Sequence, residues 1–293
     1  MEKITEKILS GKLLVSDGAW GTFLQAKGLN GGECPELWNV DHPDKVLEIA
    51  KSYINGGADM IETNSFGGSR LKLKSYGLEN RTYELNKAAA EISRKAAGEN
   101  KYVLGSIGPS GKMLMMGEVT EDELYEVYKE QSVALADGGA DVIIIETFTD
   151  IQEATLAVKA AKENTSCEVI CNMTFDKTPE GKYFTMMGIS PEEMTTSLLK
   201  TGADIVGANC GNGMENMVGI VKEIRMANPD VPIMIQANAG MPIYQDGRTV
   251  FPETPEETAA YIPELIIAGA NIIGGCCGTT PDHIRRICDK IRG

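Results

Sequence analysis

The sequence predicts a (β/α)₈ barrel that occupies residues 1–293 as one domain, and three observations lead to this fold class. Eight short runs rich in valine and isoleucine alternate with longer amphipathic segments, which is typical of parallel strands joined by helices. The chain has 293 residues, and such a barrel typically needs about 250. A short Gly-Ala-Asp pattern also recurs four times at regular places along the chain.

The predicted elements follow one another in strict alternation. The strands are expected at 13–16, 60–63, 103–106, 142–146, 168–173, 205–208, 233–237 and 272–275. The helices are expected at 43–55, 80–97, 121–138, 151–163, 191–200, 214–227, 255–268 and 281–291. Four of these helices begin with proline, which is tolerated there because the first turn needs no N–H donor.

The recurring pattern supports the count of eight strands. Its four copies span 56–61, 138–143, 201–206 and 268–273, directly before or within strands two, four, six and eight. Each copy is interpreted as a glycine that ends a helix, followed by a turn into a strand. An open, doubly wound sheet is the alternative fold. It would require a glycine-rich phosphate loop after the first strand, and residues 17–22 (DGAWGT) do not match G-x-G-x-x-G.

Composition excludes several classes of function. The formal net charge of −14 and the lack of a basic run argue against nucleic-acid binding. No apolar run approaches the roughly 20 residues needed to cross a membrane. Residues 1–9 are charged and amphipathic, without the apolar centre of a signal peptide. We therefore expect a cytoplasmic protein with neither a membrane nor a nucleic acid as partner.

The cysteines point to a metal site. Seven cysteines in a chain without a signal peptide argue against a disulfide framework. Cys210, Cys276 and Cys277 end strands six and eight, which flank strand seven, so their thiolates are expected to hold one Zn²⁺ and leave a fourth position open. We predict these three residues as both metal ligands and catalytic groups. Cys167, Cys171 and Cys288 instead fit the role of small buried side chains.

Polar residues that follow the other strands predict a pocket for an amino-acid thiol. The carboxylates of Asp17 and Glu146 suit an amino group, and backbone N–H groups from Gly18 to Thr22 suit a carboxylate. Thr63, Ser65 and Asn238 complete the predicted substrate-binding set. Purely structural roles stay open at this point. Aspartate and asparagine are common in turns, so Asp17 and Asn238 fit that role, and Glu146 fits an ion pair with a basic neighbour.

Several motifs together resemble a known family. They are DGAWGT at 17–22, ETNSF at 62–66, GSIGP at 105–109, ETF at 146–148, NC at 209–210 and GGCCGTTP at 274–281. The set resembles the homocysteine S-methyltransferase family, and most of all the homocysteine-binding module of the cobalamin-dependent methionine synthases.

The resemblance implies a fold, a metal and a reaction. The fold is a (β/α)₈ barrel, and Cys210, Cys276 and Cys277 are its zinc ligands. The resemblance also implies that Asp17 and Glu146 face the amino group of homocysteine, and that Asn238 fills the fourth zinc position when no thiol is bound. The reaction is methyl transfer to homocysteine, which gives methionine.

The sequence does not identify the methyl donor. The chain ends near the predicted end of the barrel, so both a fragment of a larger methionine synthase and a free-standing enzyme are alternatives. The donor is expected to be a small molecule, such as S-methylmethionine or a betaine, or methylcobalamin carried on a separate corrinoid protein.

A corrinoid-linked methyltransferase acting on a different donor or thiol is a further alternative. It is suggested by the methionines at 113–116 and by residues 211–217, which depart from the methionine synthase pattern. A zinc- or thiol-binding sensor is the non-enzymatic alternative.

Overall fold

The computed structural model describes residues 1–245 and 247–293 and contains a nearly closed eight-stranded barrel. The strands are Leu14–Val15 (β1), Met60–Glu62 (β2), Tyr102–Ile107 (β3), Val142–Phe148 (β4), Glu168–Met173 (β5), Ile205–Asn209 (β6), Ile233–Ala237 (β7) and Ile272–Gly275 (β8). Neighbouring strands pair in parallel, in the order β1-β8-β7-β6-β5-β4-β3-β2. The predicted fold class is confirmed, and the eight expected strands lie where the valine and isoleucine runs predicted them.

Helices cover the outside of the barrel. They are Pro43–Asn55 (α1), Thr82–Ala97 (α2), Glu121–Asp137 (α3), Ile151–Asn164 (α4), Pro191–Thr201 (α5), Met214–Ala227 (α6), Pro255–Ala260 (α7), Ile262–Ala268 (α8) and Pro281–Arg292 (α9). The prediction of one helix at 255–268 was wrong. The helix is interrupted at Tyr261 because Pro263 has no N–H and its ring would clash with the carbonyl one turn before it. Within the described ranges, no helix is long and apolar enough to cross a membrane.

Two short hairpins extend the loops that follow β5 and β7. The first pairs Asp176–Lys177 with Tyr183–Phe184, and the second pairs Ile243–Gln245 with Arg248–Val250. The sequence analysis did not predict either hairpin. Both leave from the carboxyl ends of barrel strands, so they add to the loops on the face where the active sites of such barrels lie.

The barrel interior is filled with apolar side chains and is closed at its amino-terminal end by a short helix. This helix, Ile4–Leu9, contributes the buried side chains of Ile4 and Ile8 to the same cluster as Leu14, Met60 and other inward strand residues. The Glu168 carboxylate at the start of β5 accepts the Ile4 N–H at 2.6 Å, which fixes the start of the helix. The interior at this end is therefore a packed core.

The fourfold pattern found in the sequence is a repeated structural unit. In each copy the last glycine before the alanine has a positive φ between 101° and 109°. The acidic or amide residue that follows then makes two hydrogen bonds to one residue of the preceding strand. The pairs are Asp59 with Val15, Asp141 with Val103, Asp204 with Val169, and Asn271 with Ile233. In every pair the side chain accepts the strand N–H at 2.7–3.0 Å, and the backbone N–H donates to the strand carbonyl at 2.8–2.9 Å.

These units join β1 to β2, β3 to β4, β5 to β6 and β7 to β8. The first copy is the most important one for closing the barrel, because β1 and β2 are the two ends of the sheet order and do not pair with each other as strands. The two Asp59–Val15 hydrogen bonds therefore close the barrel at its amino-terminal end.

Candidate metal and substrate site

A cavity of about 280 Å³ opens at the carboxyl ends of the barrel strands, the usual place for an active site in this fold. Residues 18–22, 24, 35–36, 62–66, 106, 146–147, 210, 236 and 275–277 line it. The cavity therefore collects side chains from loops far apart in the sequence. It also contains most of the residues that the sequence analysis selected.

The three predicted metal ligands meet at the wall of this cavity. The sulfur atoms of Cys210, Cys276 and Cys277 all lie within 4.8 Å of one another, and the Cys210 and Cys277 sulfurs are 4.0 Å apart. In a tetrahedral zinc site with Zn–S bonds of about 2.3 Å, neighbouring sulfurs lie about 3.8 Å apart. The arrangement thus fits a zinc ion with little movement of the side chains.

Strand β7 holds the two ligand-bearing segments in register. The Cys210 N–H donates to the carbonyl of Gln236 at 3.0 Å, and the Cys276 N–H donates to the carbonyl of Ala237 at 2.7 Å. The Cys277 carbonyl accepts the N–H of Ala239 at 3.0 Å. Because β6 and β8 both pair with β7, the positions of the three sulfurs are set by backbone hydrogen bonds.

The glycines before the paired cysteines allow β8 to pass close to its neighbours. A Cβ atom on Gly274 would lie 2.6 Å from the Cβ of Ser16, and one on Gly275 would lie 2.2 Å from Thr279 Oγ1. Real Cβ contacts of this length essentially do not occur. Thr279 in turn donates to the Cys276 carbonyl at 2.7 Å, so the glycines permit the turn that presents Cys276 and Cys277.

Electrostatics within the sulfur cluster favour negative charge on one sulfur. Hydrogen bonds from Cys276 and then Cys277 lower the pKa of Cys210 to about 3. The same interactions with Cys210 raise the pKa of Cys277 to about 12 and raise that of Cys276 well above its usual range. One thiolate held by two thiols is a state that a cation would convert to three thiolates.

Asn238 supplies a second observation that points to a cation. It is 3% exposed, and its side-chain oxygen Oδ1 has no hydrogen-bond partner among the described residues. Its side chain also forms a hydrogen bond that helps to lower the pKa of Cys210. An unpaired buried amide oxygen is costly unless something else binds it. The amide nitrogen of Asn238 thus faces Cys210, and the oxygen of the same amide is unpaired among the described residues.

The acidic side of the cavity is formed by Glu62 and Glu146, which are 6% and 7% exposed. Ser106 Oγ donates to one oxygen of Glu146 at 2.5 Å, and Asn209 Nδ2 donates to the other at 3.2 Å. Burial raises the pKa of Glu146 to about 7. Burial, followed by the nearby charges of Glu146 and Asp17, raises the pKa of Glu62 well above its usual range. The surroundings thus favour the neutral forms of the two carboxyl groups, and a cation placed between them would favour the ionised forms.

Asp17 lies beneath the cavity wall and does not line it. Its carboxylate accepts hydrogen bonds from the Glu62 N–H and from Trp20 Nε1, both at 2.9 Å, and from Ser16 Oγ at 3.1 Å. The side chain is fully buried, and burial raises its pKa to about 6. Asp17 therefore joins β1 to β2 at the carboxyl end of the barrel seam and sets the backbone of Glu62.

Thr63 and Ser65 line the cavity, but their hydroxyl protons are used within the wall. Ser65 Oγ donates to the Ser106 carbonyl at 2.7 Å, and the Thr63 and Ser65 hydroxyls are 2.5 Å apart. Thr63 Oγ1 also accepts the Ser106 N–H at 2.9 Å. The pair therefore ties β2 to β3. Gly18 and Thr22 also line the cavity, and Thr22 lies in the first turn of the helix Gly21–Ala26.

Comparison with known proteins identifies the family. A family model described as Homocysteine S-methyltransferase matches residues 14–291. The chain belongs to the homocysteine S-methyltransferase family. The methionine synthase of Mycobacterium tuberculosis is 31% identical over 304 residues, and that of Mycobacterium leprae is 30% identical over 303 residues. Each match covers 97% of this chain and 24–25% of the relative, so the chain spans about a quarter of the length of these curated relatives.

Solved structures of the homocysteine methyltransferase MmuM from Escherichia coli share the barrel. Its oxidized form has a TM-score of 0.81 at 23% identity, and its metallated form has a TM-score of 0.80 at 24% identity. Each comparison covers 99% of this chain and 100% of the other. The likeness supports the shared fold, and family membership classes this chain as a methyltransferase.

Several cavity residues of this homocysteine S-methyltransferase family member were not selected from the sequence. Glu62 follows a buried apolar run just as Glu146 does, and this common pattern was the signal that could have revealed it. Gln236, Ser106 and Thr147 also line the cavity. Gln236 has no signal in the sequence, because its importance comes from a 2.5 Å hydrogen bond to Glu62, 174 residues away.

Proposed function

We propose that this chain transfers a methyl group to the thiol of homocysteine, giving methionine, with zinc held by Cys210, Cys276 and Cys277. One observation carries the proposal: three clustered cysteine sulfurs and two buried carboxyl groups share a cavity of about 280 Å³. A thiol and an ammonium group on one small molecule would match these two features. Membership of the homocysteine S-methyltransferase family supports the same substrate.

The donor set supports zinc as the metal. Three thiolates are soft ligands that suit zinc better than magnesium or calcium, and three protein ligands leave a position for a substrate atom. Zinc bound there would keep a coordinated thiol ionised near neutral pH. Asn238 is proposed as the group that occupies the remaining position before a thiol arrives, because its Oδ1 atom is buried and without a partner among the described residues.

Glu62 and Glu146 are proposed to bind the ammonium group of homocysteine. No lysine or arginine stands among the described residues that line the cavity, so no protein cation neutralises these carboxyl groups there. A positively charged ligand would favour their ionised forms and form charge-assisted hydrogen bonds. Asp17, one layer below, is proposed to add negative charge and to hold the Glu62 backbone rather than to touch the ligand.

The carboxylate of homocysteine is proposed to lie against the backbone of residues 18–22. This segment lines the cavity and contains the start of the helix Gly21–Ala26, whose first N–H groups have no partner within the helix. Thr63 and Ser65 support the opposite wall through their hydrogen bonds to Ser106. The substrate would thus be held at its ammonium, its carboxylate and its sulfur.

In the proposed reaction the homocysteine sulfur attacks the methyl carbon of the donor. The new S–CH₃ bond forms as the bond between the methyl group and the donor breaks, and the bonding electrons leave with the donor. The protein holds the amino-acid end of the substrate, and this keeps the sulfur in one position and prevents other orientations of the substrate. The donor enters through the open side of the cavity.

A methyl donor carried by a corrinoid protein is the second candidate, in place of a small donor such as S-methylmethionine or a betaine. The loop after β3 favours it, because Met113, Met115 and Met116 are 45%, 68% and 69% exposed on the face where the cavity opens. Exposed methionines are adaptable apolar contacts for a partner protein. The exposure of these methionines does not depend on the thiol, so it also agrees with the alternative of a corrinoid-linked methyltransferase that acts on a different donor or thiol.

The proposal is tested by measuring methionine formation from homocysteine in zinc-loaded protein, with S-methylmethionine, a betaine and methylcobalamin as donors. Methionine formation with any of these donors supports the proposal and identifies the donor class. Methylation of another thiol, with homocysteine inert, would favour the corrinoid-linked alternative. A bound thiol that no donor methylates would favour a sensor.

A further inference from the structure

Two non-glycine residues beside the cavity have left-handed backbone conformations. Thr147 has a φ of 65° and Cys210 has a φ of 57°, and these are the two such residues in the described chain. Residues other than glycine, asparagine and aspartate rarely adopt this backbone conformation, and it persists only where the surrounding structure holds it in place. Both residues line the cavity. Thr147 directly follows Glu146, and Cys210 is one of the clustered thiols.

Asn209 connects these two residues. It is the last residue of β6, directly before Cys210, and it is fully buried. Its Oδ1 accepts the Thr147 N–H at 2.8 Å, and its Nδ2 donates to Thr147 Oγ1 at 2.7 Å. The same nitrogen donates to Glu146 Oε2 at 3.2 Å. Both N–H bonds and the carbonyl of the amide are therefore used on one segment of β4.

This pattern fixes the orientation of the amide. The Thr147 N–H is only a donor, so it must face the amide oxygen, and the Glu146 carboxylate must then face the nitrogen. The backbone carbonyl of Asn209 accepts the hydroxyl of Thr174 at 3.0 Å, which fixes the main chain before Cys210. Asn209 consequently contacts the Glu146 carboxylate through its side chain, and its fixed main chain leads directly into Cys210.

We propose that Asn209 is a positioning residue that sets the Glu146 carboxylate at a fixed place relative to Cys210. Asn209 would then determine whether the ammonium and thiol ends of one substrate are held together. This inference rests on the proposed function. It goes beyond that function by assigning discrimination for the amino group to a residue that touches neither the ligand nor the metal.

A purely structural role for Asn209 gives a different expectation. If the amide only supports the backbone of Thr147, its loss should weaken every thiol equally and lower thermal stability. If it positions Glu146, its loss should weaken homocysteine more than 4-mercaptobutanoate, which is homocysteine without its amino group. The preference between these two thiols therefore separates the roles.

The test measures dissociation constants of both thiols by calorimetry in zinc-loaded wild type, Asn209→Ala and Asn209→Asp, together with zinc content and thermal midpoint. The double variant Asn209→Ala/Thr147→Gly is made alongside, because glycine adopts a positive φ without strain and should restore the fold. Asn212→Ala is the matched control. Asn212 is a buried asparagine three residues after Asn209, and its amide donates to the carbonyl of Phe175 and makes no hydrogen bond to Glu146.

The proposal predicts one zinc per chain throughout and a wild-type preference for homocysteine of about tenfold or more. That preference should fall at least about fivefold in Asn209→Ala and in the double variant, and it should also fall in Asn209→Asp, which has no N–H to donate to Glu146. Asn212→Ala should keep the wild-type preference. A double variant that folds, holds zinc and retains the full preference would overturn the inference while leaving the proposed function standing. A wild-type protein that binds neither thiol would overturn both.

Discussion

The sulfur of Cys210 lies 4.0 Å from the sulfur of Cys277, although 67 residues separate them in the sequence. The contact is possible because the strands before them, β6 and β8, both pair with β7. Cys210 bonds to Gln236 on one side of that strand, and Cys276 and Cys277 bond to Ala237 and to Ala239, just beyond its end, on the other side. The cysteine cluster is therefore a direct product of barrel geometry, and its proposed metal binding is testable apart from the reaction.

Replacing Cys276 by serine should abolish zinc retention and methyl transfer while leaving the barrel folded. Cys276 is one of three sulfurs within 4.8 Å, and a serine hydroxyl is a far weaker zinc ligand than a thiolate. Zinc content by atomic absorption and circular dichroism measure the two properties. Cys288→Ser is the control, because Cys288 is a buried free cysteine packed in the main hydrophobic core, and it should keep its zinc. Full zinc content in Cys276→Ser would refute the ligand assignment.

Glu62→Gln should raise the KM for homocysteine by about 10- to 100-fold, the size expected for one charge-assisted hydrogen bond. Zinc content should not change, because Glu62 bonds to Gln236 and not to a cysteine. The KM for 4-mercaptobutanoate should change much less. Glu153→Gln is the control, since Glu153 is a buried carboxylate that holds Ser110 and Tyr128 outside the cavity. An unchanged homocysteine KM in Glu62→Gln would remove Glu62 from the substrate site.

Glu146→Gln should stabilise the protein at pH 8, by at least about 2 °C in thermal midpoint, although it removes a proposed substrate contact. The pKa of Glu146 is raised from 4.5 to about 7 in the folded chain, so folding retains a proton that the unfolded chain has lost. Wild-type stability should therefore fall as the pH rises from about 4.5 to about 7, and glutamine has no such dependence.

The measurement is a thermal midpoint at pH 4.5 and pH 8 for both proteins after chelation of metal. At pH 4.5 the two midpoints should lie close together, because Glu146 is protonated in most folded chains. An equal difference between wild type and variant at both pH values would show that ionisation of Glu146 is not the cause.

Gly275→Ala should lower zinc affinity and the thermal midpoint together. The added Cβ would lie 2.2 Å from Thr279 Oγ1, so the turn that carries Cys276 and Cys277 must shift. Gly31→Ala is the control, because nothing lies within 4 Å of the added atom and its φ is not in the left-handed range. Zinc titration against a competing chelator gives the affinities. Wild-type affinity in Gly275→Ala would mean that the turn tolerates the shift.

The strands and the meeting of Cys210, Cys276 and Cys277 were predictable from the sequence, whereas metal binding by these cysteines stays a prediction. Buried parallel strands require runs such as Val142–Phe148, and the paired Cys276 and Cys277 have glycines on both sides. The hairpins after β5 and β7 were not predictable by the same means. Asp176–Lys177 has only two exposed residues, and so it leaves no hydrophobic alternation in the sequence.

The roles of individual acids were harder to predict, since they depend on long-range contacts. Asp17 and Glu62 look equally suited to bind an amino group when read as residues that follow strands. In the fold, the Asp17 carboxylate accepts the Glu62 N–H and the Trp20 indole, whereas Glu62 lines the cavity. The sequence pattern does not show which of two acids that are close in the fold, such as Asp17 and Glu62, faces the cavity.

One cavity is proposed to bind the thiolate and the ammonium of homocysteine together. Calorimetric titration of zinc-loaded protein with homocysteine, in two buffers of different ionisation enthalpy, tests it most directly. We expect saturable binding with release of at least about one proton, because the thiol ionises as it enters the cysteine cluster. Binding without proton release, or no binding to protein that carries one zinc per chain, would contradict it.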